Sequence, residues 1–243
     1  MTLQAGTADH KELNILIKES LKHDLHVQVK HVAGQRYIGS AMKTGYHLHL
    51  VGTPGNDLGC YMDGGEIEVM GNAQDGTGNT MNDGSIVIHG NCGDAAGYAM
   101  RGGSIYVQGN AGYRVGIHMK EYMDKKPMLV IGGCTGDFLG EYMAGGIVLV
   151  LGLNSGGKEL TGRFCATGIH GGVIYLRGEV DRTMLGREAT VQPASEEDMA
   201  KIADLVQNYC SYFGGDAKKI LNAKFIKITA ASKRPYGKMY VGV

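Results

Sequence analysis

The chain has no tryptophan, and among its 243 residues only 4 are proline and 4 phenylalanine. Neither sign of charge is in excess, because lysine plus arginine and aspartate plus glutamate each number 24. That balance argues against a nucleic-acid or membrane-surface role, either of which needs a basic excess on at least one face. Long apolar runs are missing too. The longest, Ile147 to Leu151, falls far short of the roughly 20 residues of a membrane span, and no charged-then-apolar signal pattern opens the chain. Its 5 cysteines (Cys60, Cys92, Cys134, Cys165 and Cys210) include no C-x-x-C pair, so reduced thiols are expected and no disulfide framework. Together these absences predict a cytoplasmic, soluble protein.

Glycine is what the chain has in quantity, at 40 residues. So much glycine with so little proline, and without a collagen-like three-residue period, points to repeated tight backbone turns between apolar clusters. One stretch says the same thing three times: MDGGEIEVMGN from Met62, MNDGSIVIHGN from Met81 and MRGGSIYVQGN from Met100, a step of 19 residues. Such a unit is too short for two packed helices and suits one turn of a strand solenoid. Aligning on the glycine that ends each strand gives Gly52, Gly71, Gly90, Gly109, Gly132, Gly152 and Gly178, hence about seven coils. Two and four residues before these glycines lie Leu50 and Leu48, Val69 and Ile67, Ile88 and Ile86, Val107 and Ile105, Val130 and Met128, Val150 and Val148, and Leu176 and Ile174. All are apolar, so parallel ladders about 4.8 Å apart would stack them into one core. The predicted fold is all-β: a right-handed, single-stranded parallel β-helix with N- and C-terminal helices.

The expected organisation is an N-terminal cap over 1–35, repeats over 36–185, and a C-terminal helix and tail over 186–243. Asp9 caps a helix to about Lys22 with the stripe Leu13, Leu16, Ile17 and Leu21, and an alternating strand follows from Leu25 to Val29. Ser195-Glu-Glu-Asp resembles a capping box ahead of Met199, Ile202, Leu205, Val206 and Tyr209, with Gly214-Gly215 ending that helix. The tail holds a strand with Phe225, Ile226 and Ile228, then a turn at Arg234-Pro-Tyr-Gly237. Met62, Met81, Met100, Met119 and Met143 share one register, which reads as a stacked internal column. Insertions of about four residues near Met119 to Met123 and about seven near Asn154 to Leu160 read as loops. Ala166 stands where the other coils place a glycine. Outward strand positions are polar early (His47, His49, Glu66, Glu68, His89) and apolar late (Leu129, Ile131, Ile147, Leu149, Leu151). A covered face follows for the later coils, beneath the helix from Ser195 or beneath a partner subunit, which leaves self-association through those coils open.

The search for chemistry gives no committed catalytic, cofactor or metal residue. His47-x-His49 with His89 is the sharpest metal candidate, yet no Cys or carboxylate is spaced to complete a tetrahedral set. Asn154-Ser-Gly-Gly-Lys-Glu159 lacks the Ser/Thr and the following helix of a phosphate loop, and the glycines of Gly132-Gly-Cys-Thr-Gly136 have a repeat explanation. Cys92 and Cys134, each two residues past a strand glycine, would lie about 9.6 Å apart along the axis, too far for a disulfide. Asp75 with Asp94, and Asp137 with Glu141, could line an outer groove, although turn chemistry accounts for aspartate in such corners equally well.

The strings GQRYIG (Gly34 to Gly39), GTPGND (Gly52 to Asp57), GNAQDGTGNTMNDG (Gly71 to Gly84), GYRVGIHMKEY (Gly112 to Tyr122) and GDFLGEYMAGG (Gly136 to Gly146) resemble the glycine-repeat domain of glutamate synthase in its free-standing subunit form. The resemblance covers most of the chain. It implies a parallel β-helix without catalytic residues of its own, a scaffold between a glutamine amidotransferase subunit and an FMN-dependent, iron–sulfur synthase subunit. FMN and the cluster are then expected on that partner and not on this chain. The chain agrees in lacking a cysteine at residue 2 and any iron–sulfur cysteine cluster. A related repeat occurs in one subunit of formylmethanofuran dehydrogenase, so the fold alone leaves the pathway open, as does a carbohydrate-active β-helix using external acids.

Overall fold

The structure, a computed structural model, describes residues 1–232. Strands and helices follow in chain order as β1 (Thr2–Gln4), α1 (His10–Leu21), β2 (His26–Ala33), β3 (His47–Thr53), β4 (Asp63–Met70), β5 (Asp83–Ile88), β6 (Ser104–Val107), β7 (Met128–Ile131), β8 (Ala144–Val150), β9 (Gly171–Arg177), β10 (Ala189–Pro193), α2 (Glu196–Phe213), α3 (Ala217–Leu221) and β11 (Phe225–Ala230). All the strands belong to one sheet, parallel from β1 to β9 and closed by antiparallel β11 and β10. The antiparallel pair moves the sheet's free edge from β9 to the five-residue strand β10. The solenoid makes about six turns, slightly fewer than the seven coils the sequence suggests. The described residues include no helix long and apolar enough to cross a membrane.

The period of two within strands and 19 between them builds the core. Leu48, Ile67, Ile86, Ile105, Leu129, Val148 and Ile174 stack in register from β3 to β9, and none exceeds 1% exposure. Leu50, Val69, Ile88, Val107, Ile131, Val150 and Leu176 form the second column. Each such side chain contributes about 1.5–3 kcal/mol by leaving water. The expected methionine column is present and buried, from Met62 to Met143.

Coil five departs from the sequence reading by one residue. Leu129 and Ile131 point into the core, whereas Met128 and Val130 face out. The in-register glycine is Gly133 and not Gly132, so the insertion ahead of β7 is longer by one than the sequence suggests, and a one-residue slip inverts every side chain on a strand. Leu16 of α1 is also corrected, since it is 52% exposed while Leu13, Ile17 and Leu21 are buried. Asp9 caps α1 as expected. The strand after it is longer than predicted and belongs to the ladder, paired in parallel with β1 on one side and β3 on the other. The expected turn at Arg234 to Gly237 lies outside the described residues.

Between strands, the chain bonds to both neighbouring coils. The N–H of Gly59 reaches back to the Ile38 carbonyl at 2.8 Å, while Asp57 and Tyr61 donate forward to the carbonyls of Asp75 and Asn79, each at 2.9 Å. Gly59 has φ +64, and a Cβ there would sit 2.6 Å from Cδ1 of Ile86. In the last turn the same register holds Ala166 at φ 60, fully buried. The strands beyond β9 run antiparallel, so the stacking that crowds Gly59 stops before Ala166.

Candidate functional site

Two outer columns run the length of the sheet. One reads His47, Glu66, Ser85, Ser104, Met128, Ile147 and Val173, the other His49, Glu68, Val87, Tyr106, Val130, Leu149 and Tyr175. Both pass from charged to apolar along the axis. The apolar end is covered by α2, whose Ile202, Leu205, Val206 and Tyr209 join Val130, Ile147, Leu149, Leu151 and Tyr175 in a second buried cluster. So the expected cover is the chain's own helix, and Leu129 and Ile131 are not among the residues it covers. Ser195 and Asp198 form the capping box at its start. Asp198 also accepts the Tyr175 hydroxyl at 2.7 Å and the Lys227 ammonium at 2.8 Å, which ties α2 to β9 and β11. Burial pushes the Asp198 carboxyl up, but its bonds to Lys227, Tyr175 and Ser195 together outweigh burial and hold it far below the usual range. At the far end the Tyr209 hydroxyl donates to the Gln108 carbonyl at 3.1 Å.

Beyond the end of α2 the charged part of the face stays open as a groove of about 420 Å³. His26 and His47 stack at 4.4 Å, and His47 lies 3.3 Å from Glu66. Glu68 bridges His49 Nδ1 at 3.0 Å and His89 Nε2 at 2.9 Å. Desolvation raises the Glu68 carboxyl, yet the bonds to His89 and His49 bring it below its ordinary value. The structure thus separates the sequence's metal candidates: His47 turns to Glu66, while His49 and His89 share Glu68. Among the described residues no group of three or more His, Cys, Asp or Glu side chains is placed to hold a metal ion. This face can recognise polar or charged surface through paired imidazoles and carboxylates, and it lacks a reactive constellation.

The corner acids serve the ladder. Asp75 Oδ1 accepts the Asp94 N–H at 2.9 Å, Asp94 Oδ1 the Tyr113 N–H at 2.8 Å and Asp137 Oδ1 the Arg163 N–H at 2.8 Å. Glu141 pairs with Arg114 at 3.1 Å. Asn72, Asn91 and Asn110 do the same for the residue one coil on, and the last recipient is Cys134. Cys134 therefore sits in the asparagine column and not in the register of Cys92, a second consequence of the slip at coil five. All five cysteines are free thiols. Burial pushes Cys92 up to about 11 and Cys165 up to about 12, so neither is a thiolate nucleophile at neutral pH. At Gly133 a Cβ would meet Asn110 Oδ1 at 2.1 Å, so this segment is packed against the preceding coil and forms no phosphate cradle. Gly156 (φ +60) and Gly157 (φ +84) turn in open space within the second insertion.

The sequence reading missed the turn face. Three residues at alternate positions of each turn hold positive φ, as in Phe138, Gly140 and Tyr142. Glycine in the middle position was legible; bulky side chains in the left-handed region beside it were not, because propensity argues against them.

A family model described as the GXGXG motif matches residues 9–231. The chain belongs to the GXGXG family. The glycine at the middle of six successive turns, from Gly39 to Gly140, falls within the matched residues. A relative from Methanocaldococcus jannaschii, named as uncharacterized protein MJ1350, is 48% identical over 250 residues, covering 99% of this chain and 96% of its own. Among solved structures, a chain of the formyltransferase/hydrolase complex (FhcABCD) from Methylorubrum extorquens, in complex with methylofuran, superposes with a TM-score of 0.62 at 19% identity, covering 82% of this chain and 71% of that one. At that identity the likeness is one of fold.

Proposed function

We propose that this GXGXG protein is a non-catalytic scaffold subunit of a glutamate synthase-type complex, which makes glutamate from glutamine and 2-oxoglutarate. In that reading it bridges a glutamine amidotransferase subunit and an FMN-dependent, iron–sulfur synthase subunit that carries both cofactors. The observation that carries the proposal is the occupation of the corner acids. Asp75, Asp94 and Asp137 each hold a backbone N–H of the next coil, so carboxylates that could have formed an external hydrolytic pair are part of the ladder. Family membership supports the scaffold role, and the resemblance of the glycine strings supports the glutamate synthase assignment.

A second reading, a scaffold for a formylmethanofuran dehydrogenase-type complex, is favoured by the fold likeness to a chain of the FhcABCD complex. Co-expression separates the two. The tagged chain is expected to recover an amidotransferase and a flavin synthase subunit in fixed ratio, and the assembly to form glutamate from glutamine and 2-oxoglutarate. Failure to associate with either subunit, combined with stable assembly with formyltransferase/hydrolase subunits, would replace the first reading by the second.

A further inference from the structure

The turn face carries a pattern that neither the core nor the outer strand columns require. Its first column of positive-φ residues runs Tyr37, Asp57, Gly76, Ala95, Arg114, Phe138 and Phe164. Its third runs Ala41, Tyr61, Thr80, Ala99, His118, Tyr142 and Gly168. Side chains at these positions face a steric penalty that glycine avoids, and a chain with 40 glycines keeps aromatic rings there. Several stay open to solvent: Phe164 is 52% exposed and Tyr61 56%.

The face divides into two halves of opposite character. From Asp57 to Ala99 the column residues are mostly small, with carboxylates at Asp57, Asp75 and Asp94. From Arg114 to Phe164 they are large; the guanidinium groups of Arg114 and Arg163 lie in this half, with Asp137 and with Glu141, which pairs with Arg114 at 3.1 Å. Arg114 lies over the Phe138 ring at 4.8 Å, Phe138 stacks on Phe164 at 5.1 Å, and His118 stacks on Tyr142 at 5.4 Å. These stacks hold the large half in a fixed relief, pre-organised for a partner.

We propose that this face pairs with the same face of a second copy of the chain, the two solenoids running antiparallel about a two-fold axis between the turns of Ala95 and Arg114. An axis lying in the interface and crossing the solenoid reverses the order of coils while leaving each column opposite itself. Both copies step by about 4.8 Å per coil, so the match repeats along the face. Large then meets small in both columns: Phe138 opposes Gly76 of the second copy, Arg114 opposes Ala95, Tyr142 opposes Thr80, and His118 opposes Ala99. Asp57 comes beside Arg163 and Asp94 beside Arg114. Asp75 meets the turn of Asp137, where each carboxylate already accepts a backbone N–H. A parallel pairing would set every turn against its own copy, ring on ring and gap on gap.

Mixing charge-reversed chains tests this arrangement. The purified wild type is expected to sediment as a dimer that dissociates more readily as salt rises. Asp57→Arg alone and Arg163→Asp alone each place like charges together twice and should weaken the dimer roughly tenfold. Mixing the two variants restores an attractive pair at both sites and should recover wild-type affinity as a heterodimer. Phe164→Gly relieves the left-handed backbone and should give a monomer whose thermal unfolding is no lower than that of the wild-type monomer. A wild-type chain that stays monomeric at millimolar concentration, or that associates only with a different protein, overturns the proposal. So does a dimer unaffected by Arg163→Asp, or one that mixing fails to rescue.

Discussion

Glu68 and Leu149 occupy the same outer column, yet one sits in an open histidine–glutamate network and the other is fully buried beneath α2. The inner columns do not change between them. A solenoid can therefore keep one core and vary its outer face coil by coil, because each turn contacts only its neighbours. Covering one stretch with its own helix and leaving the next exposed lets the same sheet carry a buried stretch and an open charged one along one surface.

Exchanging the characters of the two regions should have very unequal effects. Leu149→Glu would bury a carboxylate against Ile202, Leu205 and Val206 with no partner, and is expected to cost more than about 4 kcal/mol. Thermal or denaturant unfolding checks this, and a loss of under about 1 kcal/mol would mean that α2 rests on the sheet only loosely. Asp198→Ala comes next. It removes the group joining Lys227, Tyr175 and Ser195, at about 3 kcal/mol. The folded value of Asp198 lies below its unfolded value of 3.8, so its contribution is complete above that pH and disappears as pH falls through the folded value. Wild-type stability should drop over that acid limb, and the variant should show a shallower drop in the same titration.

Much of this contrast was legible in the sequence. The 19-residue step, the inward pairs and the capping box at Ser195 are local, repeated signals, and six of the seven inward pairs stand where the glycines place them. Coil five failed because Gly132-Gly133 offers two alignments and an insertion precedes them, which also misassigned Leu129, Ile131 and Cys134. The strand at Phe225 was visible as a strand, but its antiparallel direction was not, since direction is set by the chain's return after α2 and α3. The pairing of His49 and His89 through Glu68 depends on two coils stacking in register, which the residue spacing permits without specifying the rotamers. The contrasted halves of the turn face stayed hidden for a different reason: residues such as Arg114 and Phe138 adopt a backbone conformation that their own propensities disfavour.

An early turn and the last one offer a finer version of the comparison. Gly59→Ala adds a methyl at φ +64 against Ile86 Cδ1, and should cost about 1–2 kcal/mol, most of it from the left-handed backbone because the isoleucine tip can give. Ala166→Gly relieves the same backbone term but loses one buried methyl worth about 0.8 kcal/mol, so the two nearly cancel. Matched denaturation curves should therefore show a destabilised Gly59 variant and a near-neutral Ala166 variant. Equal losses would mean that the crowding does not end at the antiparallel cap.

A small effect is expected too from the reverse exchange on the open face, Glu68→Leu. The carboxylate bridges two histidines but is 40% exposed, so water replaces most of what the bridge supplies, and a loss within about 1 kcal/mol is expected. Its pH signature is specific nonetheless. Because the folded carboxyl sits below its unfolded value of 4.5, the small contribution is present above that pH and fades as pH falls, so wild type and variant should converge in acid. Chemical denaturation at two pH values measures the difference. A loss of several kcal/mol, undiminished in acid, would show that Glu68 supports the fold as Leu149 does, and the division between a covered stabilising stretch and an exposed charged stretch would fail at the residue where it is most sharply drawn.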